Sequence, residues 1–164
     1  IDYKLSKEST IENVHTKDVT TEFGEFKLNV WRDVIFDEYH FSLTKGSPEK
    51  VNVPMVRVQT QSVLQDTLGI DEIGKKWSIR KSLQKIADEG TGVFVLINHR
   101  DAKTYWLSNL KDENIEPKRN RRVIGIGSQI LRAIGLNKIK VLGTPTKYSG
   151  LSGFNIEIEG FIDE

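Results

Sequence analysis

The chain has 164 residues, and its 24 lysines and arginines against 23 aspartates and glutamates leave a formal charge of +1. That length suits one domain, with or without a tail, while a charge so near zero argues against a protein that coats nucleic acid through bulk electrostatics. There is no cysteine, which excludes disulfides, thiolate metal sites and cysteine nucleophiles. In chain order, residues 1–22 are polar and read as a linker or peripheral tail, too poor in apolar groups to order by themselves. A domain is expected over 23–162. Phe26, Leu28 and Val30 alternate with Lys27, Asn29 and Trp31, which is strand patterning. Residues 34–43 (VIFDEYHFSL) predict a second strand, and residues 45–48 (Lys-Gly-Ser-Pro) a turn. Residues 51–60 predict a third strand, with Pro54 favouring an edge position or a bulge.

Helix and strand then alternate. Ile79, Leu83, Ile86 and Ala87 fall on one face of an amphipathic helix within 71–89, with Trp77 at the start of that face and Gly90 and Gly92 at its end. Five apolar residues in a row, 93–97, mark a strand buried on both faces. Residues 99–122 are mixed and end in a basic run, Pro117-Lys118-Arg119-Asn120-Arg121-Arg122. A helix is expected from about Gly127 to Ile134, stopped by Gly135. Ile139, Val141 and Leu142 predict a further strand, and Phe154, Ile156 and Ile158 a last one. This order predicts an α/β fold: an antiparallel β N-terminal part followed by a βαβ core.

Read from the residues alone, no catalytic set is complete. The run 117–122 is either an anion site beside a helix start or a solvated loop. Gly125-Ile126-Gly127 lacks the preceding apolar strand and the third glycine of a dinucleotide fingerprint. Lys75, Lys76, Arg80, Lys81 and Lys85 oppose the apolar stripe of their helix and read as its wet face. Trp106, in a polar stretch, is a surface contact or a flap over the core. Any zinc would rest on His15, His40, His99 and carboxylates, and no two histidines stand at helical spacing. No run approaches the ~18 apolar residues of a membrane span, and no charged-then-apolar leader opens the chain. A start at Ile1 reads as a fragment or a processed chain, and a cytoplasmic protein is expected.

Five ordered motifs then resemble GTP cyclohydrolase II. Val56-Arg57-Val58-Gln59-Thr60-Gln61-Ser62, with Asp66 and Gly69 after it, is similar to that family's Val-Arg-Val-His-Ser-Glu-Cys strand. The stretch from Ile86 to Val93 resembles its Ile-Ala-x-Glu-Gly-Arg-Gly-Val. Residues 125–131 resemble its Gly-Ile-Gly-Ala-Gln-Ile-Leu helix start. Pro145-x-Lys147-Tyr148-Ser149-Gly150-Leu151 matches a loop of the family. Residues 21–26 look like the junction to 3,4-dihydroxy-2-butanone 4-phosphate synthase in bifunctional riboflavin-pathway proteins. The match covers about residues 21–162.

The resemblance implies a domain whose relatives open the imidazole ring of GTP, releasing formate and pyrophosphate, with a zinc held by three cysteines. Here the corresponding positions are Ser62, Ile73 and Lys75: a hydroxyl, a hydrocarbon and an ammonium. The family's Gln-Glu-Gly-Arg becomes His99-Arg100-Asp101-Ala102. Its proton-accepting aspartate falls on Asn120, which cannot act as a general base, and its Asp-Tyr pair on Val123-Ile124. No catalytic and no metal-binding residue is therefore assigned. Arg57, Arg122 and Lys147 match positions that contact nucleotide or phosphate, and they remain as a candidate anion set.

The resemblance implies a catalytically degenerate cyclohydrolase-II-like domain, with zinc lost, supporting or regulating a fused N-terminal synthase for which magnesium is a possible cofactor. A homodimer and a nucleotide or phosphate ligand follow from the same resemblance, and nucleic acid is not an expected partner. The alternative is an active cyclohydrolase with an atypical metal site.

Overall fold

The computed structural model describes residues 9–70, 77–98, 110, 117–143 and 155–163, with the side chains of 117–122 left out. Its described strands form a seven-stranded sheet. Strands β1 (Ile11–Thr21), β2 (Gly24–Asp33) and β3 (Glu38–Lys45) make an antiparallel meander. Strand β4 (Met55–Thr60) follows, then helix α1 (Ile79–Glu89), β5 (Gly92–Ile97), helix α2 (Pro117–Ile134), β6 (Lys138–Leu142) and β7 (Glu157–Ile162). The spatial order is β1-β2-β3-β5-β4-β6-β7. Strand β5 is antiparallel to β3, and the pairs β5–β4, β4–β6 and β6–β7 are parallel. The expected architecture, an antiparallel first part joined to a βαβ core, is the one observed.

Residues 11–21 are not a tail. They form β1 and pair along its length with β2, from Ile11 opposite Asp33 to Thr21 opposite Gly24. Their side chains are mostly exposed, so what holds them is the backbone ladder of an edge strand, which composition does not register. Ser9 and Thr10 extend the attachment, because Gln129 of α2 accepts from the Thr10 amide at 2.6 Å.

Both faces of the sheet are covered, which changes the reading of β2. The expected inward set was Phe26, Leu28 and Val30. In the structure Phe26 is buried on one face and Trp31 on the other, its indole nitrogen donating to Ser42 Oγ at 2.8 Å. Val56, Val93, Val95 and Ile97 point to the Trp31 face and meet Ile126, Ile130 and Leu131 of α2. Met55 and Phe94 point the other way, to Trp77, Leu83 and Ile86. The period-2 geometry of β4 and β5 thus splits one apolar run between two cores. Crossovers from β4 to β5 and from β5 to β6 run in opposite directions along the sheet. A single crossover hand then requires their helices on opposite faces, as found.

The helix ends follow local chemistry. Ser78 caps α1 by accepting from the Lys81 amide at 3.1 Å, and Gly90 closes it in a left-handed conformation at φ 84°. Arg80, Lys81 and Lys85 are exposed, so the expected wet face is there; Arg80 pairs with Glu22 and lies over the Phe23 ring. Helix α2 begins ten residues earlier than expected, at Pro117, so the basic run is its opening rather than a loop before it. Proline suits a first helical turn, where its missing N–H removes nothing, and Gly127 lies within the helix. A Cβ on Gly127 would come within 2.9 Å of Val58 Cγ1, so the glycine lets α2 sit close on β4. Gly135 ends α2 as expected, with its amide donating to Leu131 and Arg132 carbonyls.

Two further expectations shift. Strand β3 starts at Glu38, since residues 34–37 form the β2–β3 turn, where Asp33 Oδ1 accepts from the Ile35 amide at 2.9 Å. Pro54 does not mark an edge strand, because β4 is central. Proline precedes the strand, and its carbonyl accepts from Lys140 of β6 at 2.9 Å. Among the described residues no helix is long and apolar enough to cross a membrane.

Two stability outcomes follow. Ile130 is fully buried between α2 and the sheet, so Ile130→Ala removes about 2–5 kcal/mol of unfolding free energy, read by urea denaturation. Gly92 has φ 151°, and a Cβ there would lie 2.8 Å from the Met55 carbonyl oxygen, so Gly92→Ala costs about 1–3 kcal/mol from strain before the clash is counted.

Candidate functional site

In an open α/β sheet the crevice for ligands lies outside the carboxyl ends of neighbouring strands whose connections leave to opposite faces. Strands β4 and β5 are such a pair here, with β6 on the far side of β4. A shallow groove of about 440 Å³ lined by Pro48, Pro54, Gly135 and Lys138 lies at the amino ends of β4 and β6, the wrong end for that role. The carboxyl end holds Gln59, Thr60, Ser62 and Asp66 from β4 and its following loop, and Asn98 after β5.

Arg57 sits one turn of the pleat below, on the α1 face. It is 7% exposed, and its donors go to the protein. The Nε group donates to Gln59 Oε1 at 2.9 Å, Nη1 to the Leu142 carbonyl at 2.9 Å and Nη2 to the Trp77 carbonyl at 3.0 Å. Leu142 closes β6 and Trp77 leads into α1. The arginine that the family resemblance offers to a phosphate is therefore also the tie between three segments of the fold. Arg122 lies on α2 with its side chain outside the described residues, and Lys147 lies outside them altogether, as do Ile73, Lys75, His99, Trp106 and Phe154.

The loop after β4 is closed on itself. The Ser62 amide donates to Asp66 Oδ2 at 2.9 Å, and the Asp66 amide returns to the Ser62 carbonyl at 2.8 Å. Ser62 Oγ accepts from the Gln65 amide at 3.3 Å, and the Gln61 amide reaches the Ile97 carbonyl of β5 at 3.1 Å. Two buried polar atoms at this end, Gln59 Nε2 and Asp66 Oδ1, have no hydrogen-bond partner among the described residues. In a folded protein such atoms are uncommon and call for a ligand or water. Among the described residues the cation at this end is Arg57, beneath the Gln59 amide and bonded to the protein, and none of the groups named here is a strong nucleophile.

One cluster escaped the sequence reading. Asp33, Glu38 and His40 are buried, and their ligating atoms lie within 4.8 Å of one another. They come from the two strands flanking the β2–β3 turn, so only register brings them together. The imidazole is set against metal binding, however. His40 Nδ1 accepts from the Asn98 amide at 3.0 Å, which leaves the ring proton on Nε2, facing Glu38 Oε1 at 4.0 Å. A metal-bound imidazole has the opposite arrangement, donating from its remote nitrogen. The cluster instead pins the end of β5 to the meander.

The motif order that suggested a family is matched by direct comparison. The family model for GTP cyclohydrolase II fits residues 12–163. The chain is 30% identical over 168 residues to a 3,4-dihydroxy-2-butanone 4-phosphate synthase of Pseudomonas aeruginosa, covering 99% of this chain and 46% of that protein. It is 32% identical to the protein of the same name from Neisseria meningitidis serogroup B, covering 98% and 45%. It is 30% identical to the riboflavin biosynthesis protein RibBA of Cytophaga hutchinsonii, covering 96% and 43%. Among solved structures it is similar to RibBX, a two-domain 3,4-dihydroxy-2-butanone 4-phosphate synthase from A. baumannii, with a TM-score of 0.69 and 26% identity over 99% of this chain and 43% of that one. The chain thus spans less than half the length of each of these relatives. With a family model fitted across nearly its whole length and relatives drawn from riboflavin biosynthesis, the chain belongs to the GTP cyclohydrolase II family.

Proposed function

We propose that this domain no longer opens GTP and that its work is to support or regulate a 3,4-dihydroxy-2-butanone 4-phosphate synthase, through contact and through an anion held at the carboxyl ends of β4 and β5. The observation that carries this reading is the donor chemistry after β4. Ring opening in the family rests on a metal-activated water, and lowering the pKa of water takes a metal held by good donors. This chain has no thiolate to give, and the position where the resemblance expects the first one is Ser62, a neutral hydroxyl already accepting from Gln65. Ile73 and Lys75 add a hydrocarbon and a cation. Those residues do not fit zinc in the family's manner. The Asp33–Glu38–His40 cluster does not replace it, because its imidazole faces the wrong way round.

The relatives support a fused synthase as the partner. They are more than twice as long, and the solved one is described as having two domains. Val34, Ile35, Phe36 and Tyr39, 45–59% exposed, gather at or beside the β2–β3 turn, and the Val34 amide is bonded to Thr10 at the start of β1. We assign that apolar tip to contact with the synthase. Nucleotide, pyrophosphate or a sugar phosphate would fill the crevice through Lys147 and Arg122, with Arg57 beneath. A homodimer accords with the same reading.

Incubated with GTP, magnesium and zinc, the purified protein is expected to release no formate and to carry no stoichiometric zinc; formate release with bound zinc would overturn the proposal in favour of an active enzyme. The cations separate by role. Lys147→Ala is expected to abolish the thermal shift given by pyrophosphate with little change in the unliganded Tm. Arg57→Met is expected to lower unfolding free energy by about 2–4 kcal/mol in urea, because it strands two buried carbonyls and the Gln59 amide oxygen.

A further inference from the structure

We propose that Ser62 and Asp66 form a hydrogen-bonded lock that shapes the loop after β4 without a metal, at the position where the resemblance expects a metal ligand. It rests on the function proposed above only in taking this loop to be metal-free.

The lock is reciprocal. Each residue's backbone amide is satisfied by the other, the Ser62 amide by Asp66 Oδ2 and the Asp66 amide by the Ser62 carbonyl. A third bond, from the Gln65 amide to Ser62 Oγ, fills the ring's interior. An acidic side chain that accepts from an amide four residues back satisfies a donor that the end of a strand otherwise leaves open, and a charged acceptor makes that bond stronger than a neutral one. Ser62 is 6% exposed, so water does not substitute readily for these partners. Directly before it, the Gln61 amide joins the Ile97 carbonyl, and this carries the fixed geometry of the loop to the end of β5.

The ring closes through protein groups, while Asp66 Oδ1 has no hydrogen-bond partner among the described residues. The Ser62 hydroxyl oxygen is occupied as an acceptor, and one Asp66 oxygen is occupied by the Ser62 amide. Asp66 is thus a positioning residue: it sets the crevice above Gln59 by shaping the backbone.

Thermal unfolding of this chain, with a chelator, with added zinc and with neither, tests the lock. The wild-type Tm is expected to be the same in all three. Asp66→Ala is expected to lower it by roughly 2–6 °C, the shift that corresponds to losing one charged hydrogen bond in a domain of this size. Asp66→Asn, which keeps an acceptor for the Ser62 amide, recovers most of that loss. Hydrogen exchange at the Ser62 and Gln65 amides is expected to quicken in Asp66→Ala while the α1 amides keep their protection, a local effect that general destabilisation does not give. If Asp66→Ala does not fold, Ser62→Ala, which deletes only the Oγ acceptor, takes its place: the Gln65 amide is expected to exchange faster while the residue-62 amide keeps its protection, and an unchanged Gln65 amide would overturn the lock. A chelator that lowers the wild-type Tm, zinc that raises it, or an Asp66→Ala protein that melts and exchanges like wild type would each overturn the lock. A chain that melted independently of metal yet released formate from GTP would overturn the proposed function and leave the lock standing.

Discussion

A guanidinium buried in the middle of a sheet face must be given acceptors, and the acceptors Arg57 finds belong to the segments that rim the carboxyl end of β4. An unpaired buried charge is among the most expensive features a fold can carry. Here the expense is met by the Leu142 and Trp77 carbonyls and by Gln59. Those acceptors come from the end of β6, the approach to α1 and β4 itself, so satisfying one side chain fixes three backbone segments relative to each other. Trp77 is fixed a second time, its indole donating to the Ile162 carbonyl of β7 at 3.0 Å. The central strand of the parallel sheet and the crevice above it are therefore held from below by polar groups rather than by apolar packing alone.

On the function proposed above, a site loses its chemistry while the fold around it persists, and that arrangement allows it. The apolar cores on the two sheet faces do not include any of the atoms a reaction would use, and the ties at the carboxyl end run through backbone groups and Arg57. Ser62 belongs to neither apolar core, so a change of side chain there removes no core contact. What decides whether the loop survives is whether its amides find other acceptors, and Asp66 supplies one. Function in such a fold is separable from stability because the two are carried by different atoms of the same few residues.

Much of this was legible in the sequence, for definite reasons. Whereas the Ser78 cap emerged only in the structure, helix α1 announced itself through Ile79, Leu83 and Ile86 with a glycine stop, and β5 through five consecutive apolar residues. Each is a local signal that tertiary context did not need to override. What was illegible depended on partners distant along the chain. Strand β1 carries almost no apolar signal, because an edge strand is held by its backbone, and only the presence of β2 makes it order. Trp31 looked like the polar phase of β2 until α2 covered that face. The basic opening of α2 masked ten helical residues, since charge and a leading proline resemble a loop. His40 gave no sign of its role, because Asn98, whose amide it accepts, lies 58 residues away.

The same distinction bears on Arg57. A motif fixes which residue stands at a position but not where its hydrogens go, and the resemblance supplied a phosphate contact where the structure has internal acceptors. The two roles are compatible only in a particular order. A buried arginine already bonded to carbonyls from two segments cannot turn wholly toward an anion without releasing them, so an anion at the crevice would meet the field of its charge before it met its donors. Such a site favours small, highly charged ligands, because Coulomb attraction in a partly dry crevice outlasts the loss of direct hydrogen bonds. On the function proposed above, a domain built this way would respond first to the charge of a phosphate.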